Sequence, residues 1–404
     1  MAMRWVVVQN GSWLGYQIPL ALEEAGKLEA VATDWYSPLD RPWFQLVAGG
    51  LPAGVVAGLR RRYREGVPSR KVRSWPDGPV RVKLGGAMER EDYRLGVRGG
   101  RLAAARGAAL FSFSYYAYGA FTASGGGARP RLLHQVHPHP DSLRAIFREE
   151  MERTPEAMES LRGEQEISAT PTRLEQMSEE PRMAHLCLAA SGYTRRTLIE
   201  NGVDPARIRV VPYGVDLDAF VPPAAPPAGP FRVLFVGQMV QRKGLTYLFE
   251  AWKRLALPNA ELVLAGRGRM DGPLLARYGS LFRREASVSP SRLRELYQSS
   301  DVFCMPSLAE GSGMVYLESL ACGTPVIGTP NTGAADLIDD GEQGFLVPVR
   351  DVDALAERLL WCYEHREELQ AMRAAARMRA ERFTWGAFRK GVADMVLEAE
   401  AGAG

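Results

Sequence analysis

The carboxyl-terminal half of the chain alternates between short apolar runs and stretches whose apolar residues recur at helical spacing. Apolar side chains recur every three or four positions over residues 245–255 and again over 352–363, which predicts two amphipathic helices. The β-rich runs lie at residues 231–236, 262–265, 302–305, 325–328 and 345–347. Strand and helix in alternation predict right-handed βαβ units and a parallel sheet covered on both faces.

The amino-terminal half repeats this alternation less regularly. Strands are predicted at residues 5–8, 30–34, 110–113, 132–136, 187–190 and 208–211. Between the halves, residues 221–230 contain five prolines and form a stiff connector. We therefore expect an α/β protein with two Rossmann-like doubly wound domains facing across a cleft, over residues 1–215 and 216–382. A final helix in residues 383–404 is expected to return to the first domain.

The composition places the chain among ordinary globular proteins. Of 404 residues, 46% are hydrophobic and 24% charged, which excludes global disorder. The four cysteines form no CxxC pair, which favours free core thiols in a reducing compartment. The first apolar run is too short for a signal peptide, and Ser, Tyr and Gly interrupt the uncharged residues 107–128, which favours a strand and a helix there. We expect a cytoplasmic protein, or one bound peripherally to the inner face of a membrane.

The strongest local motif is Pro-Ser-Leu-Ala-Glu-Gly-Ser-Gly-Met-Val-Tyr-Leu-Glu at residues 306–318, between a predicted strand and a predicted helix. Gly311 and Gly313 allow close approach of a ligand to the backbone, and the N–H groups at the helix start suit a phosphate. Glu310 and Glu318 are suited to accept hydrogen bonds from sugar or ribose hydroxyls. The alternative is that Glu310 merely complements the helix dipole and that Glu318 lies on a solvated face.

A second motif, Gly-Gln-Met-Val-Gln-Arg-Lys-Gly at residues 237–244, also joins a predicted strand to a predicted helix. Arg242 and Lys243 would stand at the carboxyl end of a parallel strand, where open α/β folds bind ligands. Both cations could bind phosphate oxygens there. The alternative is a pair of solvated surface cations, but both motifs would face one crevice, which favours a shared site.

In combination, these motifs resemble those of retaining glycosyltransferases of the GT-B fold, the GT4 type or group 1 glycosyl transferases, which use nucleotide-diphosphate sugars. The resemblance is dense over residues 185–385 and thin before them. The segments that carry it are the two glutamates of residues 310–318 with residues 320–327, the triplet 242–244, Ser191 with residues 211–216, and residues 344–348.

The resemblance implies a role for each matched position. Glu310 would hold hydroxyls of the transferred sugar, Glu318 the ribose, and Lys243 would neutralise the leaving diphosphate. Backbone N–H donors to the donor substrate would come from Gly311, Ser312, Gly313, Met314 and Val315. Many members have an arginine where this sequence has Gln238, so the second cation is expected to come from Arg242 or from elsewhere in the chain.

Two amino-terminal segments carry weaker signs of the same site. The turn at residues 10–15, which contains Gly11, resembles the glycine loop beside the donor phosphates. His137 lies where the family often has a histidine facing the transferred sugar, although a plain strand-end histidine remains an alternative. Three of the five histidines fall at residues 134–139, which a metal site could also explain, but only Asp141 is near as a further ligand. We expect no metal and no cofactor.

Residues 51–100 hold twelve Lys/Arg against five Asp/Glu. Arg60, Arg61, Arg62 and Arg64 surround apolar positions at helical spacing and follow an apolar segment at residues 43–46, so this block could lie against an anionic membrane surface. A solvated helix face or a channel for an acidic acceptor are the alternatives. No stacking aromatics interleave the arginines, which argues against nucleic acid as a partner.

The sequence thus predicts a retaining, metal-independent hexosyltransferase that moves a sugar from a nucleotide-diphosphate sugar to an acceptor hydroxyl. Retention would follow from front-face attack, with a donor phosphate oxygen taking the acceptor proton, as the resemblance implies. Two alternatives remain on the same fold: a non-catalytic sugar-nucleotide-binding or membrane-associated scaffold protein, and a sugar-nucleotide epimerase.

Overall fold

The protein, described by a computed structural model over residues 3–125, 129–268, 270 and 272–402, contains two parallel β-sheets. The first has the strand order β3-β2-β1-β4-β5-β6-β7 and the second the order β10-β9-β8-β11-β12-β13. The strands of the first sheet are β1 (Trp5–Val8), β2 (Leu28–Thr33), β3 (Val72–Ser74), β4 (Ala109–Phe113), β5 (Arg131–Gln135), β6 (Leu186–Ala189) and β7 (Ile208–Val210). Those of the second are β8 (Phe231–Val236), β9 (Ala260–Ala265), β10 (Arg283–Glu285), β11 (Val302–Cys304), β12 (Val326–Gly328) and β13 (Gly344–Leu346).

Helices cover both faces of each sheet, which is why the central strands read as unbroken apolar runs rather than as alternating patterns. All residues of β1 and β11 are buried. The helices of the first half are α1 (Gln17–Glu24), α2 (Pro42–Gly49), α3 (Ala53–Arg60), α4 (Asp77–Lys83), α5 (Met88–Arg106), α6 (Ala117–Ala123), α7 (Pro140–Arg153), α8 (Met158–Arg162), α9 (Gln165–Ser168), α10 (Pro171–Met183) and α11 (Gly192–Glu200). Those of the second half are α12 (Leu245–Leu255), α13 (Gly272–Tyr278), α14 (Pro290–Gln298), α15 (Met314–Ala321), α16 (Ala334–Leu337), α17 (Val352–Glu364), α18 (Arg366–Ala380) and α19 (Trp385–Ala401).

The last helix, α19, leaves the second sheet and packs on the first. Its buried residues Phe388, Val392 and Met395 belong to the core of the first sheet. Glu400 accepts hydrogen bonds from Trp5 Nε1 at 2.9 Å and from Lys27 Nζ at 2.6 Å. The predicted fold class, including the returning helix, is confirmed. The residue limits 1–215, 216–382 and 383–404 are kept as our proposed division, of which residues 1–2, 126–128, 269, 271 and 403–404 lie outside the described residues.

The strand order of the two sheets determines where a ligand-binding crevice opens. In the first sheet β1 lies between β2 and β4, and in the second β8 lies between β9 and β11. Connections leave these neighbouring strands in opposite directions, so a crevice opens at their carboxyl ends, where open α/β sheets bind ligands. The loops after β1, β4, β8 and β11 therefore meet between the two domains.

The sequence did not predict the insertion of four helices, α7 to α10, between β5 and β6, nor α18. It also missed the three-residue strands β3 and β10, of which β10 is wholly polar. The uncharged residues 107–128 form β4 and α6 as expected, with 126–128 outside the described residues. None of the helices described is both long and apolar enough to cross a membrane. The four cysteines are buried and free.

Candidate functional site

A cavity of about 340 Å³ lies between the two domains, at the carboxyl ends of their central strands. The first domain contributes Asn10, Trp13, Asp92, Tyr115 and His137 to its wall, and the inserted helices contribute Glu164 and Glu166. The second domain contributes Gln238, Arg242, Ala309, Glu310 and Gly311. A volume of this size suits a small-molecule ligand.

Two cations meet one carboxylate in this cleft. Arg242 and Lys243 lie in a single 3₁₀ turn after β8, and Glu310 lies in the loop after β11. Arg242 Nη1 donates to Glu310 Oε2 at 2.7 Å, and Lys243 Nζ forms an ion pair with the same oxygen. The three side chains are at most 14% exposed, so Arg242 and Lys243 are not solvated surface cations.

The charges in this cluster shift one another's titration. Burial raises the pKa of Glu310, but the nearby charges of Lys243 and Arg242 lower it more, so that the pKa ends well below its usual range. Burial lowers the pKa of Lys243 despite the opposing effect of Glu310. Glu310 is therefore an anion at all physiological pH values, held between two donors in a place of low dielectric constant.

The inserted helices add two carboxylates that the sequence did not single out. Glu164 Oε1 accepts from Arg242 Nε at 3.0 Å, whereas Glu310 accepts from Nη1 of the same guanidinium. Glu166 accepts a hydrogen bond from the hydroxyl of Tyr115. These residues follow no recognisable spacing, because their partners lie far away in the sequence.

Tyr115 is a further wall residue that no motif marked. Its backbone has φ of +77°, a left-handed conformation that is uncommon for an aromatic residue. Its N–H donates to Glu180 Oε2 at 2.6 Å, and its ring stacks on His137 with centroids 5.2 Å apart. The strained backbone is thus fixed from two sides, and the ring defines one face of the cavity.

The three neighbouring histidines have separate partners. Burial, followed by the charge of Arg242, lowers the pKa of His137 to about 4, so this ring is neutral near pH 7. His134 Nε2 shares a 2.9 Å hydrogen bond with the hydroxyl of Tyr213. His139 Nδ1 accepts from the N–H of Asp141 at 3.3 Å and so caps α7. Across the residues that the structure describes, no group of three or more His, Cys, Asp or Glu is placed to hold a metal ion.

Gly311 forms a contact between the domains. Its carbonyl oxygen accepts hydrogen bonds from Ser191 Oγ at 2.5 Å and from Thr194 Oγ1 at 3.1 Å, at the start of α11. A Cβ atom at position 311 would collide with the carbonyl oxygen of Val136. Only glycine permits this approach of the loop after β11 to the first domain.

The helix that follows begins with Gly313 in the left-handed conformation, with φ of +75°. The N–H groups of Met314 and Val315, at the start of α15, have no acceptor within the helix, whereas that of Tyr316 donates to the carbonyl oxygen of Gly313 at 3.0 Å. Ser312 is buried next to them, 8% exposed. These residues do not line the cavity itself but follow Gly311 directly in the sequence.

Glu318 lies on α15, outside the cavity wall. It is half-buried and accepts a 3.0 Å hydrogen bond from the hydroxyl of Tyr297. Burial raises the pKa of Glu318 to about 7, although the Tyr297 hydrogen bond opposes this. The residue is therefore not a solvent-exposed face residue, which was the alternative interpretation.

In the loop after β1, the N–H of Gly11 does not point freely into the cavity, as the resemblance to a phosphate-binding glycine loop would imply. Its N–H donates to Asp34 Oδ1 at 2.8 Å, with φ of +66°, whereas its neighbours Asn10 and Trp13 line the cavity. The backbone N–H of Gly11 is thus engaged with a carboxylate. Among the predicted residues, the cavity brings together His137, Gln238, Arg242, Glu310 and Gly311, with Lys243 reaching it through Glu310.

The basic block forms a separate surface on the first domain. Arg60 and Arg61 are exposed at the end of α3, whereas Arg62 Nη1 binds Asp34 at 3.1 Å. On the adjoining α2, Trp43 is 62% exposed and Leu46 83% exposed. This surface therefore combines unshielded apolar side chains with cations, and Arg62 is a partner of Asp34.

Comparisons with known proteins agree with this geometry. Residues 219–379 match the family model described as glycosyl transferases group 1. A D-inositol 3-phosphate glycosyltransferase from Arthrobacter sp. (strain FB24) is 32% identical over 197 residues, which cover 44% of this chain and 47% of the relative. A phosphatidyl-myo-inositol mannosyltransferase from Mycolicibacterium smegmatis is 32% identical over 211 residues, 49% of this chain and 53% of the relative. The chain spans about half the length of the curated relatives it matches.

Solved structures match over nearly the whole chain. A sucrose-phosphate synthase from Thermosynechococcus elongatus has a TM-score of 0.69 at 20% identity, covering 99% of this chain and 100% of that protein. The Anabaena protein HepE, solved in complex with UDP, has a TM-score of 0.65 at 16% identity, covering 98% and 100%. At such identities the likeness shows the fold, and the fold is GT-B.

Proposed function

We propose that this protein, whose residues 219–379 belong to the group 1 glycosyl transferases, moves a sugar from a nucleotide-diphosphate sugar to an acceptor hydroxyl, with retention of the anomeric configuration and without a metal ion. The observation that carries the proposal is the Glu310 carboxylate, bound by Arg242 and Lys243 in the cleft between two Rossmann-like domains. A buried anion beside two cations offers hydroxyl recognition and diphosphate binding within one short distance.

The donor would lie on the second domain. Arg242, Lys243 and the N–H groups at the start of α15 would bind the diphosphate, where negative charge grows as the sugar leaves. Donors that are already in place stabilise such charge most effectively. Glu310 would accept hydrogen bonds from hydroxyls of the sugar, and Glu318 from those of the ribose. A nucleotide part is in keeping with the UDP of the Anabaena neighbour.

Retention would follow from attack on the same face that the diphosphate leaves. A donor phosphate oxygen would take the proton of the acceptor hydroxyl, the new glycosidic bond would form, and the bond to the diphosphate would break. His137 would contact the sugar as a neutral imidazole, which is consistent with its lowered pKa. The charge that a metal ion supplies in other transferases would come from Arg242 and Lys243.

The test is a thermal-shift screen of the full chain against nucleotide-diphosphate sugars, with and without EDTA, followed by NMR of the product. We expect a sugar donor to raise Tm equally in both conditions and the anomeric proton of the product to keep the donor configuration. Loss of the shift in EDTA would exclude metal independence, and an inverted product would exclude retention. An isomerised nucleotide sugar would indicate an epimerase, and binding without turnover a scaffold protein.

A Glu310→Gln variant directly tests the role of the carboxylate that Arg242 and Lys243 bind. The amide keeps the shape but removes the charge between Arg242 and Lys243, so we expect turnover to fall by roughly two orders of magnitude or more. Glu364→Gln, at an exposed carboxylate near the end of α17, is the matched control and should retain full activity. Equal turnover in both variants would contradict the assignment of Glu310.

We also propose that the surface formed by α2 and α3 contacts an anionic membrane. The exposed apolar residues Trp43 and Leu46 lie beside the cations Arg60 and Arg61, a combination suited to the interface of a bilayer with acidic headgroups. Arg62, which pairs with Asp34, would contribute less than its neighbours. Arg64, half-buried, lies next to this surface.

Co-sedimentation with vesicles tests the membrane contact. We expect binding to vesicles that contain phosphatidylserine, weak binding to pure phosphatidylcholine, and loss of binding in the double variant Trp43→Ala/Arg61→Ala. Leu397→Ala, at an apolar residue of α19 that is 52% exposed, is the control. Binding that is independent of anionic lipid would contradict the proposal.

A further inference from the structure

A second cavity, of about 260 Å³, lies within the first domain beside the cleft. Asn10, Met88 and Asp92 line both this cavity and the interdomain one. The two spaces therefore adjoin at these three residues. A molecule seated in the second cavity presents one end to the space that contains Glu310.

The interior of this second cavity is largely apolar. Leu95 of α5 is 6% exposed at its base, and Trp75, Pro79 and Val82 are half-buried along its sides. An apolar ring placed here would leave water and contact an aromatic face. Such a lining recognises a hydrocarbon or aromatic group rather than a polyol.

The two arginines around this cavity are already paired with carboxylates. Arg62 binds both carboxylate oxygens of Asp34, at 3.1 and 3.2 Å. Arg98 forms a bidentate ion pair with Asp77, in which Nη1 donates to Oδ1 at 2.7 Å and Nη2 donates to Oδ2 at 2.8 Å. Of the described cations in the wall, the remaining one is Lys83, which is exposed at the rim. To bind Arg62 or Arg98, a phosphate or carboxylate ligand would have to displace a bound carboxylate, so the interior of the cavity disfavours anions.

The junction between the cavities provides a place for a hydroxyl group. Asp92 is half-buried there and accepts a hydrogen bond from the Asn10 side chain. Burial raises the pKa of Asp92 to about 6; Asn10 and the charge of Arg173 act against this, while Asp34 and Glu89 add to it. Near neutral pH the carboxylate is ionised and has oxygen lone pairs left to accept from a ligand.

We propose that this cavity binds the acceptor as an uncharged molecule with an aromatic or alicyclic group, whose hydroxyl is held by Asp92 at the junction with the cleft. This inference rests on the proposed function, because it names the acceptor class of that reaction. The apolar group would occupy the space between Trp75, Val82 and Leu95, and the hydroxyl would point toward the sugar-binding cavity.

Isothermal titration of the full chain with paired probes tests the acceptor class. We expect the phenyl β-glycosides of glucose, galactose or mannose to bind at least roughly tenfold more tightly than the methyl β-glycosides of the same sugars, since only the former bury a ring. myo-Inositol 3-phosphate is expected to bind more weakly than the best phenyl glycoside. The inference is overturned if no phenyl glycoside binds more tightly than the methyl glycoside of the same sugar, or if the inositol phosphate binds more tightly than all of the glycosides.

Two substitutions on one helix locate the binding. Val82→Trp fills the cavity and should remove the phenyl advantage, by which we mean the tighter binding of phenyl glycosides relative to methyl glycosides. Val80→Trp, at a 54% exposed position of the same helix α4, should leave this difference in affinity unchanged. Asp92→Asn should weaken phenyl and methyl glycosides alike, by roughly fivefold or more, because it alters the group that contacts the hydroxyl. A phenyl advantage that survives Val82→Trp overturns the assignment to this cavity.

Titration of the unmodified chain with nucleotide-diphosphate sugars separates the two proposals. If a nucleotide sugar binds but the phenyl glycosides show no advantage, the acceptor class is wrong and the proposed function stands. If the phenyl glycosides bind as expected and no nucleotide sugar does, the cavity assignment stands and the proposed function fails.

Discussion

Ser191 Oγ donates a 2.5 Å hydrogen bond to the carbonyl oxygen of Gly311 and so joins the two domains beside the candidate site. The same hydroxyl accepts from the N–H of Thr194 and caps α11. The loop that carries Glu310 is thus fastened to the first domain one residue after the carboxylate. The position of Glu310 relative to His137 depends on this contact between domains.

Gly311→Ala should therefore impair activity without unfolding either domain. Its Cβ would meet the carbonyl oxygen of Val136, which forces the loop and the first domain apart. A displacement of about 1 Å in a catalytic group costs roughly a hundredfold in rate, and we expect at least that loss in sugar transfer with an unchanged circular dichroism spectrum. Gly386→Ala in α19, where a Cβ has only an ordinary contact, is the control. Normal turnover in Gly311→Ala would show that the close approach is dispensable.

A second prediction concerns Glu164, which binds Nε of the Arg242 guanidinium, whereas Glu310 binds Nη1. Glu164→Gln should lower kcat by roughly tenfold, because the guanidinium loses a partner that orients it. Donor affinity should not weaken, since the substitution removes a negative charge near the proposed diphosphate site. Steady-state kinetics with varied donor separate the two parameters. The exposed Glu159, substituted in the same way, serves as the control, and a weaker donor Kd with normal kcat would contradict this role.

The sequence predicted the central strands because each is buried on both faces and so appears as an apolar run. It failed for β10, where Arg283, Arg284 and Glu285 pair with β9 at the edge of the sheet. Edge strands need no apolar run, and their pairing depends on a neighbour that is distant in sequence.

The site was predicted as far as its residues lie in local motifs. Arg242, Lys243 and Glu310 follow strands in short glycine-containing segments, so their spacing indicated their place. Glu164, directly before α9, and Asp92, on α5, line the cleft without such a motif. Their role arises from tertiary packing, and no period along the chain reveals it.

A third prediction concerns Glu150, a fully buried carboxylate of α7 that binds three groups of the second domain. It accepts from Gln241 Nε2 at 2.7 Å, from the hydroxyl of Tyr247 at 2.9 Å and from Arg350 Nε at 2.8 Å. Glu150→Ala leaves Gln241, Tyr247 and the Nε of Arg350 without their acceptor, although Arg350 keeps Glu149 as a partner, and we expect a cost of roughly 3–5 kcal/mol. Because the lost bonds join the domains, we expect calorimetry to show two transitions for Glu150→Ala and one for the unaltered protein.

The neighbouring Glu149 is the matched control for that experiment. It binds the same Arg350, through Nη1 at 3.0 Å, but is 46% exposed. An exposed ion pair contributes at most about 1 kcal/mol to stability. Glu149→Ala should therefore lower Tm slightly and leave the number of unfolding transitions unchanged. Similar profiles for the two variants would mean that Glu150 does not join the domains.

The last prediction concerns the pH dependence of stability. Glu180 is fully buried and accepts from the backbone N–H groups of Tyr115 and Tyr118, at 2.6 and 3.0 Å. Burial raises the pKa of Glu180 from 4.5 to about 7, against the opposing effects of Arg173 and the backbone N–H groups. Because the folded pKa lies above the unfolded one, the stabilising effect of protonation is complete below pH 4.5 and is lost as the pH rises through 7. Glu180→Gln removes this contribution, which is on the order of 3 kcal/mol, so its Tm should fall less between pH 5.5 and 8 than that of the unaltered protein. Glu179→Gln, at the exposed neighbouring carboxylate, should keep the full pH dependence, and a Glu180→Gln profile parallel to it would show that Glu180 does not titrate in this range.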